Sequence, residues 1–132
     1  MAVRQPLDDK VRDALSRPMT VVDISTTGRK SGQERLIEIV LHNIDGRFYI
    51  SGQPSRTRRG WLANLEVNPK FTLHVKRGAR ADLPATAREI TDPAERRQVL
   101  EHVAANWKRD DVDTMVEYSP LIEVTVPGLD AR

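Results

Sequence analysis

Hydrophobic and polar residues alternate in several short segments of this 132-residue chain, and a period of two is typical of strands with one buried face. In 71-FTLHVK-76, for example, the three apolar residues share one face. The Asp45-Gly46 pair between two such segments is a strong signal for a tight hairpin turn. The predicted strands cover residues 19–26, 35–44, 47–52, 71–76, 80–90 and 121–126, the fifth being edged or interrupted at Pro84.

Three other segments carry a helical pattern. Residues 7–16 place their apolar side chains at helical intervals. A short helix is predicted within residues 55–69, with Ser55 or Thr57 as its N-cap. In 91-TDPAE-95 the aspartate suits the N-cap and the proline the first helical position, so a third helix should run to about residue 107.

The order of these elements predicts the fold class. Consecutive strands outnumber helices and no βαβ unit repeats, which favours an α+β, mainly β fold: an antiparallel, barrel-like sheet with flanking helices. A chain of this length suits one domain, residues 1–132. Its expected parts are an N-terminal helix at 1–17, a barrel core at 19–90, and a helix, a polar stretch and a final strand within 91–132.

Composition limits the kinds of bond and site that the protein can form and bears on its cellular location. The chain contains no cysteine, which excludes disulfides and thiolate metal sites and is compatible with the cytoplasmic location that we expect. It offers no apolar run long enough to span a membrane, so no transmembrane segment is predicted. A peripheral membrane contact through the N-terminal helix is left open, although its mixed charges favour a packing helix.

The net charge of +2 conceals an uneven distribution. Residues 29–80 contain eleven Lys and Arg against four Asp and Glu, a local charge of +7, while the rest of the chain carries −5. The middle of the chain therefore predicts an anionic partner, which on charge alone could be a phosphorylated cofactor, nucleic acid or an anionic membrane. Nucleic acid is disfavoured because exposed aromatic platforms for stacking bases are not evident among six aromatic residues.

The segment 26-TTGRKSGQER-35 joins the first two predicted strands and concentrates this charge. Its glycines allow backbone amides to converge, its serine adds a hydroxyl donor, and its cations suit phosphate or carboxylate oxygens. The spacing is not that of a P-loop, and no helix follows. These residues leave two interpretations open, an anion site and an exposed turn with incidental charge.

The histidines predict no metal site. His42, His74 and His102 are isolated in the sequence, without a histidine or carboxylate at ligand spacing. We expect His42 and His74 to be ordinary residues of the barrel.

A family resemblance adds to this interpretation. The TTGRKSGQ-x-R motif before a long strand, then DGRFYISG, then a Trp-containing helix ending in NLEVNP, is similar to the deazaflavin-dependent nitroreductase family. The similarity covers residues 19–90 well. It implies a split β-barrel like that of flavin-mononucleotide-binding proteins, and an oxidoreductase that transfers hydride between coenzyme F-420 and a small electron-poor acceptor such as a quinone, nitro compound or enone.

The resemblance also implies which residues bind the cofactor. Phosphate and tail are expected at the loop and the start of the next strand, and the tricycle beside the end of the third strand and the short helix. The implied residues are Arg29, Lys30, Ser31, Gly32, Arg35, Ser51, Gly52, Gln53, Arg58, Trp61 and Asn64. FMN is the alternative cofactor, and a non-catalytic carrier of a flavin-like ligand is the alternative function.

The last third of the chain departs from the family. Nitro-reducing members carry several tyrosines there, whereas this chain has Trp107 and a single Tyr118. Tyr118 is the candidate proton donor, although packing is the favoured role for it. The acceptor is therefore open, and so is the choice between monomer and homodimer.

Overall fold

The computed structural model describes residues 9–129 and shows a closed barrel of six antiparallel strands in the order β1-β2-β3-β6-β5-β4. Within residues 9–129, four helices lie outside the barrel. In chain order the elements are α1 (Asp9–Ala14), β1 (Met19–Thr27), β2 (Glu34–Ile44), β3 (Arg47–Ser51), α2 (Gly60–Val67), β4 (Lys70–Val75), β5 (Ala81–Glu89), α3 (Pro93–Trp107), α4 (Val112–Tyr118) and β6 (Leu121–Thr125). The antiparallel, mainly β fold class is confirmed. The predicted N-terminal helix falls partly on residues 1–8, which lie outside the described residues.

Two hairpins fix the register of the first three strands. β1 and β2 pair along the whole of β1, from Met19 opposite His42 to Thr27 opposite Glu34, so residues 28–33 form the tip of this hairpin. The predicted Asp45-Gly46 turn is confirmed: both residues have positive φ, 54° and 85°, as a type I′ turn requires.

Two apolar clusters stabilise the barrel and its helices. One fills the barrel interior with residues such as Ile24, Leu41, Ile50 and Leu73. The other lies under α3 and α4 and includes Ile90, Leu100, Val103, Met115 and Leu121. The alternation predicted in 71-FTLHVK-76 is confirmed, because Phe71, Leu73 and Val75 are buried in the first cluster. In the part of the chain that the structure describes, no helix is long and apolar enough to cross a membrane.

Two local predictions need correction. Helix α2 begins at Gly60 with Arg59 at the N-cap position, so the predicted caps Ser55 and Thr57 are wrong. They form a turn of their own, in which the Ser55 hydroxyl accepts from the Thr57 amide at 3.1 Å and is therefore not available to α2. Strand β5 is not interrupted at Pro84. Pro84 lies opposite Thr72 of β4, and the pairing of β5 with β6 begins only at Thr86.

Helix α4 lies in the polar stretch for which the sequence predicted no element. Met115 is its one fully buried side chain, and Val112 and Val116 pack only in part against the second cluster. So few apolar positions give a weak periodic pattern, and the contact with α3 decides the structure of this segment.

Candidate functional site

The 28–33 loop is a compact turn held by its own backbone. The amide of Gly28 donates to the carbonyl of Gln33 at 2.7 Å, and the amide of Gly32 donates to the carbonyl of Gly28 at 2.8 Å. The Ser31 hydroxyl accepts from the Gln33 amide at 3.1 Å. These bonds give the loop one defined shape at the end of a long hairpin.

Glycine is required at two positions of this loop. Gly32 has a φ of +72°, which L side chains rarely adopt. At Gly28 an added Cβ would lie 2.9 Å from the Ser31 hydroxyl and 3.0 Å from the carbonyl oxygen of Gln33. The loop is therefore folded more tightly than any other residue at position 28 would permit.

A cleft of about 310 Å³ lies between this loop, the start of β2 and the first turn of α2. It brings together six of the predicted cofactor residues, four from the loop and the start of β2 and two from α2, which follows about 25 positions later in the sequence. Its walls are formed by Thr26, Gly28, Arg29, Lys30, Ser31, Arg35, Ile37, Gly60, Trp61 and Asn64.

The cations of the cleft are not neutralised by the protein. Within residues 9–129, Arg29, Lys30 and Arg35 form no ion pair with a carboxylate, whereas Arg58 and Arg88 each contact two glutamates. All three cleft cations are exposed to solvent. An anion in the cleft would thus meet positive charge that no internal partner competes for.

The N-terminus of α2 adds partial positive charge to the same place. Arg59, at the N-cap position, makes no side-chain hydrogen bond to the first turn of the helix. Gly60 and Trp61, the first two helical residues, line the cleft. Uncapped first-turn amides next to unpaired cations suit a bound anion, which would supply the missing acceptor.

Asn64 ties the loop to α2. Its Oδ1 accepts from both the backbone amide of Arg29 at 3.1 Å and the Arg29 guanidinium at 3.0 Å. Its Nδ2 donates to Oγ1 of Thr26 at 3.1 Å. Asn64 is only 5% exposed, and these bonds occupy both the oxygen and the nitrogen of its side-chain amide. Its main role is therefore to hold the loop.

The other predicted cofactor residues lie outside the lining of this cleft. Ser51 is buried and donates its hydroxyl to the carbonyl of Pro120 at 2.6 Å. Gly52 is closely covered by the same proline, and the carbonyl of Gln53 accepts from Arg59 at 3.0 Å. Gly32 shapes the loop without lining the cleft.

Arg58 and Tyr118 lie in a second hollow, of about 370 Å³, which we call the arginine pocket. Arg58 is held by Glu66 and Glu89, with N–O distances of 2.5 and 2.9 Å. The guanidinium of Arg56 lies 4.9 Å from the centre of the Tyr118 ring. The structure thus separates these residues from the six that surround the first cleft.

Neither histidine of the barrel lines the cleft. His42 is fully buried against the edge of Trp107, and this burial lowers its pKa to about 4. His74 is not isolated, contrary to the sequence-based expectation, because the β4–β5 hairpin places Asp82 at 2.7 Å from its Nδ1. The Ser25 hydroxyl lies 2.6 Å from the other ring nitrogen of His74. Ser25 belongs to β1, where its backbone pairs with β2 on one side and β4 on the other.

The comparison with protein families decides the classification. The family model described as F420H(2)-dependent quinone reductase matches residues 5–127. The chain belongs to this family. Membership makes the protein a reductase that uses coenzyme F-420, and it favours the deazaflavin over FMN as the cofactor.

Solved structures agree with the fold. A structure of an F420-H2 dependent reductase is 22% identical with a TM-score of 0.59, and the match covers 83% of this chain and 95% of that one. A structure of an F420 reductase is 13% identical with a TM-score of 0.64, covering 87% and 91%. A NimC/NimA family protein from Clostridium acetobutylicum is 18% identical with a TM-score of 0.61, covering 89% and 81%. At these identities the similarity shows the split-barrel fold.

Sequence reasoning missed three features of this region. Gly28 was part of the motif but not of the predicted site, although a glycine opening a tight turn is a signal for close backbone approach. The uncapped start of α2 could have been read from the absence of Ser, Thr, Asp or Asn at position 59. Ser119 and Arg59 of the arginine pocket had no sequence signal.

Proposed function

We propose that this reductase transfers a hydride from reduced coenzyme F-420 to a small, electron-poor organic acceptor, with a quinone, a nitro compound or an enone as the candidate classes. The observation that carries the proposal is the group of unpaired cations around the first cleft, beside the uncapped helix α2. A cytoplasmic location and a small-molecule substrate are part of the proposal.

The residues of the cleft fit the anionic part of the cofactor, a phosphodiester with a glutamate tail. Arg29 and Arg35 can each offer two donors to one oxyanion, and Lys30 offers a point charge. Ser31 adds a hydroxyl, and Gly28 removes the Cβ that would otherwise fill the turn beside it. The family membership and this donor set point to the same ligand.

The remaining predicted residues have supporting roles in the proposal. Trp61 provides an aromatic wall on the helix side of the cleft. The backbone at Ser51, Gly52 and Gln53, at the end of β3, stays our candidate for contact with the tricycle, with Arg58 beyond it. Tyr118 stays the candidate proton donor.

The bound deazaflavin supplies the hydride chemistry itself, so the protein needs to bind, orient and exclude water rather than to provide a nucleophile. The hydrogen bonds within the 28–33 loop, and those that Arg29 donates to Asn64, would hold the loop and the Arg29 guanidinium in place before the cofactor arrives. Such preorganisation reduces the entropy that binding would otherwise cost.

Binding of the cofactor can be measured by titrating the protein into coenzyme F-420 or FMN and following fluorescence polarisation. We expect binding of coenzyme F-420 at micromolar concentration and weaker binding of FMN. Lys30→Ala and Arg35→Ala should each weaken binding by ~1–3 kcal/mol, the range for the loss of a charge-assisted hydrogen bond. Arg77→Ala is the matched control, because it removes an exposed cation that lies outside the cleft.

Unchanged affinity in both the Lys30 and the Arg35 variants, or equal losses in the Arg77 control, would remove the cleft from the cofactor site. Turnover is tested separately, by mixing the protein with reduced coenzyme F-420 and a panel of quinones, nitro compounds and enones. Oxidation of the cofactor by none of them would contradict the proposed reaction while leaving the binding result intact.

A further inference from the structure

The backbone of residues 51–53, our candidate for contact with the tricycle, is held on one side by Pro120. The Ser51 hydroxyl donates to the carbonyl of this proline at 2.6 Å. A Cβ added to Gly52 would lie 3.0 Å from Cγ of the same residue, so the proline ring covers the glycine closely. These contacts fix the backbone against the residue before β6, but they do not fix it against the cleft that would bind the phosphate and tail.

Arg59 connects the same backbone to helix α2. Its Nη2 donates to the carbonyl of Gln53 at 3.0 Å. Within residues 9–129, no other hydrogen bond joins residues 51–55 to α2 or to its N-cap position. Arg59 occupies that N-cap position, and the next two residues of the chain line the cleft. Its side chain therefore bridges one wall of the cleft and the backbone at residues 51–53.

The conformation of the Arg59 side chain indicates that this contact is not incidental. Its Nε is buried without a partner, so the side chain lies against the protein and does not extend into water. Its Nη2 lies 3.8 Å from the position of a Cβ added to Gly52, so the guanidinium lies close to this part of the backbone. An arginine that served only solubility would keep its donors in water, because a buried donor without a partner is unfavourable.

We propose that Arg59 is a positioning residue, which fixes the backbone at residues 51–53 relative to the cleft and thereby sets where the tricycle lies once the phosphate is bound. This inference rests on the proposed function, because it takes the cleft and this backbone as two parts of one cofactor site. Arg59 acts through the carbonyl of Gln53 and needs no contact with the cofactor.

The effect of Arg59 on the backbone is tested in the ligand-free protein by NMR relaxation of the backbone amides. Arg59→Met keeps an unbranched stem without a donor, whereas Arg59→Lys keeps a charged donor. We expect the order parameters of Gly52 and Gln53 to fall in Arg59→Met and to recover in Arg59→Lys. Arg77→Met, the control, removes the same charge from an exposed site outside the cleft and should change neither. Wild-type order parameters in Arg59→Met would overturn the proposal.

Three ligands distinguish positioning from a simple effect of charge. They are coenzyme F-420, deazariboflavin, which has a tricycle but no phosphate, and inorganic phosphate. We expect Arg59→Met to weaken binding of both deazaflavins by about 5- to 30-fold, because binding must then fix one more backbone residue, and to leave phosphate binding unchanged. Losses confined to the two ligands that carry phosphate would show that Arg59 acts through its charge, and they would overturn the proposal.

The same titrations separate this inference from the proposed function. If the wild-type protein binds neither deazaflavin, the proposed function fails, and the role of Arg59 toward the cofactor fails with it. If the wild-type protein binds both, and Arg59→Met binds both with equal affinity, the proposed function stands and Arg59 is not a positioning residue.

Discussion

The tie between Asn64 and the 28–33 loop gives the sharpest prediction about the site. In Asn64→Ala three hydrogen bonds are lost, two from Arg29 and one to Thr26. Arg29 is exposed and can turn to water, but Thr26 is 2% exposed and its hydroxyl would be left buried without this donor. A buried polar group without a partner costs about 1–3 kcal/mol, so we expect stability to fall by that amount.

Cofactor affinity should fall by a different route. Without Asn64, the amide and the guanidinium of Arg29 lose their acceptor, although the bonds of Gly28 and Gly32 remain, and cofactor binding must then fix Arg29. Fixing the backbone of one residue costs roughly 1–2 kcal/mol, which corresponds to an affinity loss of about 5- to 30-fold. Urea denaturation measures the first effect, and fluorescence polarisation with coenzyme F-420 measures the second.

Asn68→Ala is the matched control, since Asn68 lies just beyond the C-terminal end of α2 and its side chain accepts only from the Lys70 amide among the described contacts. It should leave cofactor affinity unchanged. A double-mutant cycle with Arg29→Ala separates positioning from direct contact, because a residue that acts through Arg29 has a smaller effect once Arg29 is gone. Additive losses, or wild-type affinity in Asn64→Ala, would refute the reasoning.

Three further predictions concern the loop, the buried histidine and helix α3. Gly32→Ala should cost ~1 kcal/mol of stability, because φ at this position is +72° and only glycine adopts that region freely; equal urea midpoints would contradict it. Burial lowers the pKa of His42 from 6.5 to about 4. Between these two pH values the unfolded chain binds a proton that the folded state does not take up. The free energy of unfolding should therefore fall as pH drops from 6.5 to 4, by about 3 kcal/mol in total. In His42→Gln the free energy of unfolding, measured by urea titration at several pH values, should depend less on pH. An unaltered pH dependence would show that another group is responsible for it. Asp92→Ala removes the cap that accepts from the Glu95 amide at 2.9 Å, and should lower the midpoint of thermal unfolding by the equivalent of about 1 kcal/mol; an unchanged midpoint would speak against the cap.

The fold was predictable from the sequence because its signals are local. Alternation in 71-FTLHVK-76, the Asp45-Gly46 turn and the Asp92-Pro93 helix start each depend on residues within a few positions of one another, and the structure confirms all three. Helix α4 was not predictable, because its stability comes from packing of Met115 in the cluster under α3 and not from an apolar pattern of its own.

The residues of the site also differ in whether local sequence reveals their roles. The loop is one continuous motif, so its cations could be recognised from the sequence. The contacts of Asn64 with Arg29 span 35 positions, and those of Arg96 with residues 115–119 depend on how α3 and α4 meet. Neither pattern of hydrogen bonds has a signature in local composition, which is why the roles of these side chains emerge only in the structure.

The partners of each arginine distinguish the arginines that stabilise the fold from those that are available to a ligand. Arg88 contacts two carboxylates, Glu95 and Glu123, and its charge is satisfied within the protein. Arg96 satisfies its donors with backbone carbonyls and connects α3 to α4 and to Ile90 at the end of β5. Such residues stabilise the fold and have little left to offer a ligand.

The cations around the first cleft are different. Arg29, Lys30 and Arg35 have no carboxylate partner within residues 9–129, and all three are exposed to solvent. Their charge is therefore available to a ligand, and three such cations around one concave surface suit a ligand with more than one anionic group.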